Sequence, residues 1–283
     1  PIEAAHTAGI TILCAIWWIL EPIPVPATSL IPFALLPLCG VVDHQAVAGA
    51  YGHTLIMLLL GGFILSMAME KSGAHRRLAL GMVRLVGGRG GRRLVLGFML
   101  ATAVCSMWIS NTATVLMLMP VAAAVMASED EALRVPLLLG IAYSASIGGI
   151  GTPVGTPPNV IFIGQYEELA GREMGFVEWM KIGIPVVVFM LPLSWLWLTR
   201  GLKESRPVRI PDSGPWSVAE KRVVTVFLLT AVAWVTRGHP IGGWSTWFDI
   251  PDAGDSTVAL LAVIALFLIP DGKGGKMLDW ETA

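Results

Sequence analysis

Residues 105–120 read "CSMWISNTATVLMLMP". Ser110, Asn111, Thr112 and Thr114 stand together there, inside the longest uncharged apolar stretch of the chain, residues 94–127. That stretch is too long for one helical crossing of the roughly 30 Å hydrocarbon core of a bilayer. Cut at the polar cluster, it leaves arms of about 16 residues, or roughly 24 Å at 1.5 Å per residue. Arms that short predict a re-entrant helical hairpin over 92–128 with its tip at mid-membrane.

The rest of the composition agrees with a membrane setting. Of 283 residues, 55% are hydrophobic and 14% charged, with a mean hydropathy of +0.71. Soluble domains carry charge at roughly a quarter of their positions. The sequence therefore predicts an all-α polytopic membrane protein in contact with the lipid bilayer. A net charge of −1 argues against a nucleic-acid surface, which needs clustered basic excess. Cys14, Cys39 and Cys105 all lie in apolar segments and are read as inert thiols. The chain starts without Met and ends on "MLDWETA", so it is expected to be incomplete.

Further apolar runs occur at 10–20, 27–42, 55–69, 182–198, 223–236 and 256–269. The run 135–166 contains "GIGTPVGTPPN", residues 149–159, whose glycines and three prolines cannot continue a helix. It predicts one crossing over 134–166, broken in the middle, followed by a helix over 182–200. Arg76, Arg77, Arg84, Arg89, Arg92 and Arg93 in one loop, and Lys203, Arg206, Arg209 and Lys221 in another, make both loops cytoplasmic by the positive-inside rule. A hairpin returning to its own side satisfies this, whereas a single crossing over 94–127 would split the two loops. In "HRRLALGMVRLV", Leu78, Met82, Leu85 and Val86 share one helical face and Arg76, Arg77 and Arg84 the other, as for a helix lying in the interface. Trp17, Trp18, Trp195, Trp197 and Trp234 suit interfacial belts or lipid-facing packing. Trp108, two residues before the cluster, is placed either to wall a site or to pack between the hairpin arms.

A hairpin tip and a broken helix at mid-membrane leave backbone groups unpaired, tolerable only inside protein or beside a polar cavity. Helix N-termini there favour anions, while freed carbonyls and Ser, Thr and Asn oxygens favour a hard cation such as Na+. The plainer reading is that Ser110 to Thr114 merely cap the hairpin helices. Two breaks at one depth weigh against it. Neither apolar run, 94–127 or 135–166, holds Lys, Arg or His, so a dianion reaching mid-membrane needs dipoles and bound cations as compensation.

"SNTATVLMLMP" (110–120), "GIAYSASIGGIGTPVGTPPNVIF" (140–162), "WWILEPIPVPATSLIPFALLPL" (17–38) and "LLLGGFILSMAMEKSGAHRRLAL" (58–80) together resemble the divalent-anion/sodium symporter family of Na+-coupled dicarboxylate, citrate and sulfate carriers. The resemblance implies a homodimeric elevator transporter of the bacterial-type cytoplasmic (inner) membrane, built from two inverted repeats. It implies Na+ held by Ser106, Ser110, Asn111 and the carbonyl of Gly155. A substrate carboxylate would meet Ser110, Asn111 and Thr112, with Thr156 and Pro157 nearby. Residues 1–90 would be scaffold helices and the interfacial helix, 91–205 half of the transport domain, 206–222 a cytoplasmic linker, and 223–283 the first helices of the second repeat. No second SNT motif occurs, so half of the binding site is expected here, with poor stability in isolation.

The implied function is symport of a divalent anion, a C4-dicarboxylate ahead of citrate or sulfate. The alternatives are a Na+-independent anion exchanger and an arsenite or Na+/H+ antiporter-type carrier. An antiporter would need an intramembrane acid, absent from both interrupted spans. An enzyme is disfavoured because His6, His44, His53, His75 and His239 lie at span ends or in loops. "GTPVGTPPN" lacks the Lys-Ser/Thr ending of a phosphate-binding loop.

Overall fold

The computed structural model describes residues 2–87, 91–126, 131–202, 214–238 and 243–283. Arg89, Lys203, Arg206, Arg209, His239, the end of the expected hairpin at 127–128 and residues 206–213 of the expected linker lie outside them. The named elements among the described residues are all helices. Among the described residues, four helical segments are long and apolar enough to cross a membrane: Ile2–Leu20, His44–Ser72, Glu131–Gly149 and Phe176–Thr199.

The chain divides into two compact units, residues 1–56 and 57–283. The first contains α1 (Ile2–Leu20), α2 (Val25–Thr28), α3 (Ile31–Leu38) and α4 (His44–Tyr51). The apolar run 27–42 is thus no single span. Prolines at 24, 26 and 32 remove backbone donors and favour helix starts, so the chain makes two short helices instead. Tyr51 closes this unit by donating its hydroxyl to the Ser29 carbonyl at 2.5 Å and packing edge-on against Phe33.

The second unit holds α5 (Thr54–Ser72) from Met57 onward, then α6 (Ala74–Gly87), α7 (Gly91–Ser106), α8 (Asn111–Met126), α9 (Arg134–Gly149), α10 (Pro157–Ala170) and α11 (Phe176–Thr199). It ends with α12 (Val218–Thr236), the short α13 (Gly243–Trp247) and α14 (Asp255–Leu268). Its core lies where α6, α7, α8, α9 and α11 meet, around Val83, Leu94, Phe98, Leu118, Leu137 and Leu191. The α7–α9 crossing is close because position 148 is glycine: a Cβ there would overlap the Ala103 carbonyl. Helix α11 begins six residues before the predicted 182, where its first amide, that of Phe176, is held by a side chain from α14, the Asp255 carboxylate that accepts from it at 3.0 Å.

One surface expectation, that of Trp234, is corrected, and α6 shows a second apolar stripe beside the predicted one. Helix α6 buries Ala79, Leu80 and Val83 against the core, while Leu78 and Leu85 of the predicted apolar face are exposed, Leu85 at 87%. The helix meets protein along one stripe and leaves a second apolar stripe open to the surroundings. Trp234 is not lipid-facing. It is buried, and its indole N–H donates to the Asp255 carbonyl at 2.9 Å. Cys14 and Cys105 are buried as expected, but Cys39 is only half-buried.

Candidate functional site

Helices α7 and α8 are each 16 residues long, about 24 Å, and are joined by the four-residue turn 107–110. The turn is built from inside. Met107 N bonds the Ala103 carbonyl, and Trp108 N and Ile109 N both bond the Cys105 carbonyl. Ser110 then caps α8, its hydroxyl accepting from Ala113 N at 3.2 Å. The plain capping role is therefore real for Ser110. It leaves Asn111, Thr112 and Thr114 unaccounted for.

Trp108 neither walls the turn nor fills the space between the arms. Its ring lies 6.0 Å from Phe176 and 6.4 Å from Trp234, both near parallel, and edge-on to Phe227 at 5.1 Å. Phe176 and Trp234 stack at 4.6 Å. The turn is thus anchored sideways onto α11 and α12, which frees its other flank.

On that flank the Ser106 hydroxyl has one proton and two acceptors within reach, Asn111 Oδ1 at 2.5 Å and the Ala145 carbonyl at 2.8 Å. Three oxygens from α7, α8 and α9 therefore converge with one proton among them. Gly149 backs onto the same group, since a Cβ there would stand 2.8 Å from Asn111 Oδ1. Gly155 packs so tightly on Gly149 that a Cβ would overlap its carbonyl. The structure thus brings Ser106, Asn111 and, one glycine further, Gly155 together.

The broken span supplies the other wall. Helix α9 ends at Gly149 and α10 begins at Pro157, and three of the carbonyls at this break accept from side chains. Asn159 Nδ2 donates to the carbonyls of Gly149 and Thr152 at 2.7 Å each, and the Trp179 indole donates to Ile150 O at 2.8 Å. The Thr152 hydroxyl donates to Met107 O, tying the break to the hairpin turn. The break is thus braced by Asn159 of its own motif, by Trp179 of α11 and through the Met107 carbonyl of the hairpin turn. Thr156, the N-cap of α10, makes no side-chain capping bond and is half-buried, while Pro157 is exposed.

Ser110 and Thr112 line an open cleft of about 750 Å³. Its opposite wall, from α5 and the start of α6, includes Ser66, Glu70 and His75. Sequence reading assigned no role to Asn159, Glu70 or His75. Asn159 closes the GTPPN motif and was open to recognition as the donor such a break needs; Glu70 and His75 carry no motif and gain meaning only from packing. Among the described residues, no group of three or more His, Cys, Asp or Glu gathers to hold a metal ion. The converging oxygens are of a different kind, hydroxyl, amide and carbonyl, suited to a hard monovalent cation. The N-terminus of α8 presents amide donors and positive partial charge beside Ser110, whereas α10, opening on Pro157 and Pro158, offers partial charge without amide donors at its first two positions.

The sequence profile of the CitMHS citrate transporter family matches residues 15–282. The sodium-dependent dicarboxylate transporter SdcS of Staphylococcus aureus is similar over the whole chain, 36% identical in strain bovine RF122 / ET3-1 and 35% in strain NCTC 8325 / PS 47, each over 309 aligned positions. The alignments cover 100% of this chain and 59% of each relative, so the chain spans well under two thirds of their length.

Proposed function

Because this chain belongs to the CitMHS citrate transporter family, we propose that it forms the first half of an integral membrane carrier that symports Na+ with a divalent anion, a C4-dicarboxylate ahead of citrate or sulfate. The observation that carries the reading is the convergence of Ser106 Oγ, Asn111 Oδ1 and the Ala145 carbonyl with a single proton among them. A Na+ ion seated there draws on the lone pairs of these oxygens, with Ser110 and the Gly155 carbonyl completing the shell. Na+ is a transported co-substrate here, and its charge offsets that of the anion. The anion's carboxylate then takes donors from Ser110, Asn111 and Thr112 at the start of α8 and from the Thr156 hydroxyl, with Pro157 and the positive dipole end of α10 nearby.

The 24 Å arms of the hairpin support a re-entrant rather than a spanning role. In this reading, residues 91–205 move as the transport half against the scaffold of 1–90, and 223–283 open an inverted second repeat. The assembly is an elevator-type homodimer in the cytoplasmic membrane. That the relatives are sodium-dependent dicarboxylate transporters supports both the ion and the substrate class.

The test is uptake of radiolabelled succinate by proteoliposomes containing the full-length protein, with an inward Na+ gradient or with K+ replacing it. Uptake that needs Na+ and is competed by citrate or sulfate is the expected result. Uptake indifferent to Na+ but dependent on an internal counter-anion would make the protein an exchanger and remove Na+ from the Ser106–Asn111 site.

A further inference from the structure

The cleft beside the hairpin turn is polar at both ends of its width but contains no Lys or Arg. Its titratable side chains are Glu70, near the end of α5, and His75, at the second position of α6. At about 750 Å³ it falls within the range of small-molecule sites, about 300–1,000 Å³. An anion reaching Ser110 and Thr112 through this cleft passes both groups. Resting on the anion-carrier reading above, we propose that His75 is a specificity-determining residue, which binds multiply charged anions through a protonated imidazole while Glu70 opposes them.

Geometry fixes which nitrogen does this. His75 Nδ1 lies 2.9 Å from the Met69 carbonyl. A carbonyl only accepts, so Nδ1 carries the proton and Nε2 is the position that gains one. The neighbouring charges are already committed. Lys71 pairs with Asp279, and Arg77 with Glu220 of α12. Arg76 is exposed beside His75, and the cleft residues from α8, Ser110, Thr112, Ala113, Leu116 and Met117, carry no charge. Glu70 is thus the one acid lining the cleft with His75. Burial holds the imidazole below its ordinary pKa, the Met69 carbonyl offsets part of this, and Arg76 adds to the lowering. The ring is therefore neutral in the anion-free cleft near neutral pH, and an arriving dianion supplies the counter-charge that draws a proton onto Nε2. By linkage, protonation tightens anion binding to the same degree.

The experiment uses the full-length protein with ¹³C-labelled histidine in Na+ buffer, titrated from about pH 5 to about pH 8, alone and with sulfate, succinate or chloride. The His75 signal is identified by its loss in His75→Gln. The midpoint is expected to rise by about one unit with sulfate or succinate, equivalent to about tenfold tighter binding to the protonated form, and to stay put with chloride. Glu70→Gln is expected to tighten succinate binding severalfold. A midpoint indifferent to both divalent anions overturns the assignment. Should His75→Gln not fold, calorimetry of succinate binding to the unmodified protein in two buffers of different ionisation enthalpy reads the same linkage; no proton uptake near about pH 6 overturns it. Loss of the Na+ requirement in the uptake assay would sink symport and leave the His75 shift standing, whereas an unmoved His75 with Na+-driven uptake intact sinks this inference alone.

Discussion

Arg77 Nε lies 2.7 Å from Glu220 Oε1, joining α6 to the first turn of α12 across 143 residues of chain. The same guanidinium donates to the carbonyls of Gly214 at 2.6 Å and Pro215 at 3.0 Å. Glu220 also closes a capping box with Ser217. Burial acts against the ionised carboxylate, but the hydrogen bonds from Arg77 and Ser217 outweigh it and hold Glu220 below its ordinary value of 4.5. A depressed pKa contributes stability that is complete above the unfolded value and disappears as pH falls through the folded one. Glu220→Gln is expected to cost about 2–4 kcal/mol near neutral pH. The gap from wild type should close below about pH 4, read as thermal unfolding midpoints across pH; a gap constant to acid pH would remove the ion pair from the account.

Ser106→Ala removes one of the three converging oxygens without opening a large cavity. The Na+ concentration giving half-maximal thermal stabilisation of the full-length protein should rise by about tenfold or more, the equivalent of about 1.4 kcal/mol. Asn111→Ala should abolish both this stabilisation and Na+-stimulated uptake. An unaltered Na+ dependence in either variant would mean that the ion sits elsewhere.

Adjacent glycines separate fold from site. Gly148→Ala drives a methyl into the Ala103 backbone and should lower stability by about 1–3 kcal/mol or more, Na+ present or absent. Gly149→Ala instead meets the Asn111 side-chain oxygen, so its main effect should be on Na+ affinity. Equal behaviour of the two variants in denaturation and Na+ titration would contradict the distinction.

Trp234→Ala empties a buried ring position in the stack with Phe176 and Trp108, at a cost of about 3–5 kcal/mol. Trp234→Phe keeps a ring and loses the bond to the Asp255 carbonyl, about 1 kcal/mol. Chemical denaturation ranks them; similar costs would give the hydrogen bond, not the stack, the larger share.

The helix order of the second unit was legible because hydrophobic runs, Arg-rich loops and the Gly-Pro punctuation at 149–159 each report on local backbone chemistry. The Ser106–Asn111 pairing was legible too, through motif resemblance. What escaped was set by third parties. Trp234 is polar at one edge and apolar over its faces, so sequence alone could not choose between a membrane interface and a buried stack on Phe176. The second apolar stripe of α6, Ala79, Leu80 and Val83, was missed because a helix can have two hydrophobic neighbours, and periodicity does not say which residues face which. Prolines 24, 26 and 32 outweighed the run 27–42, which average hydropathy had scored as continuous. His75 drew no notice because its surroundings come from α8, some 40 residues away.

Asn159 bonds the carbonyls on both sides of the kink it follows, at Gly149 and Thr152. Eleven consecutive residues thus carry both the interruption and its brace, so the shape travels as a cassette. Sequence drift elsewhere can accumulate around it so long as Trp179 and the Met107 carbonyl keep their bonds to it, whereas replacing the single amide at 159 would release two carbonyls at once.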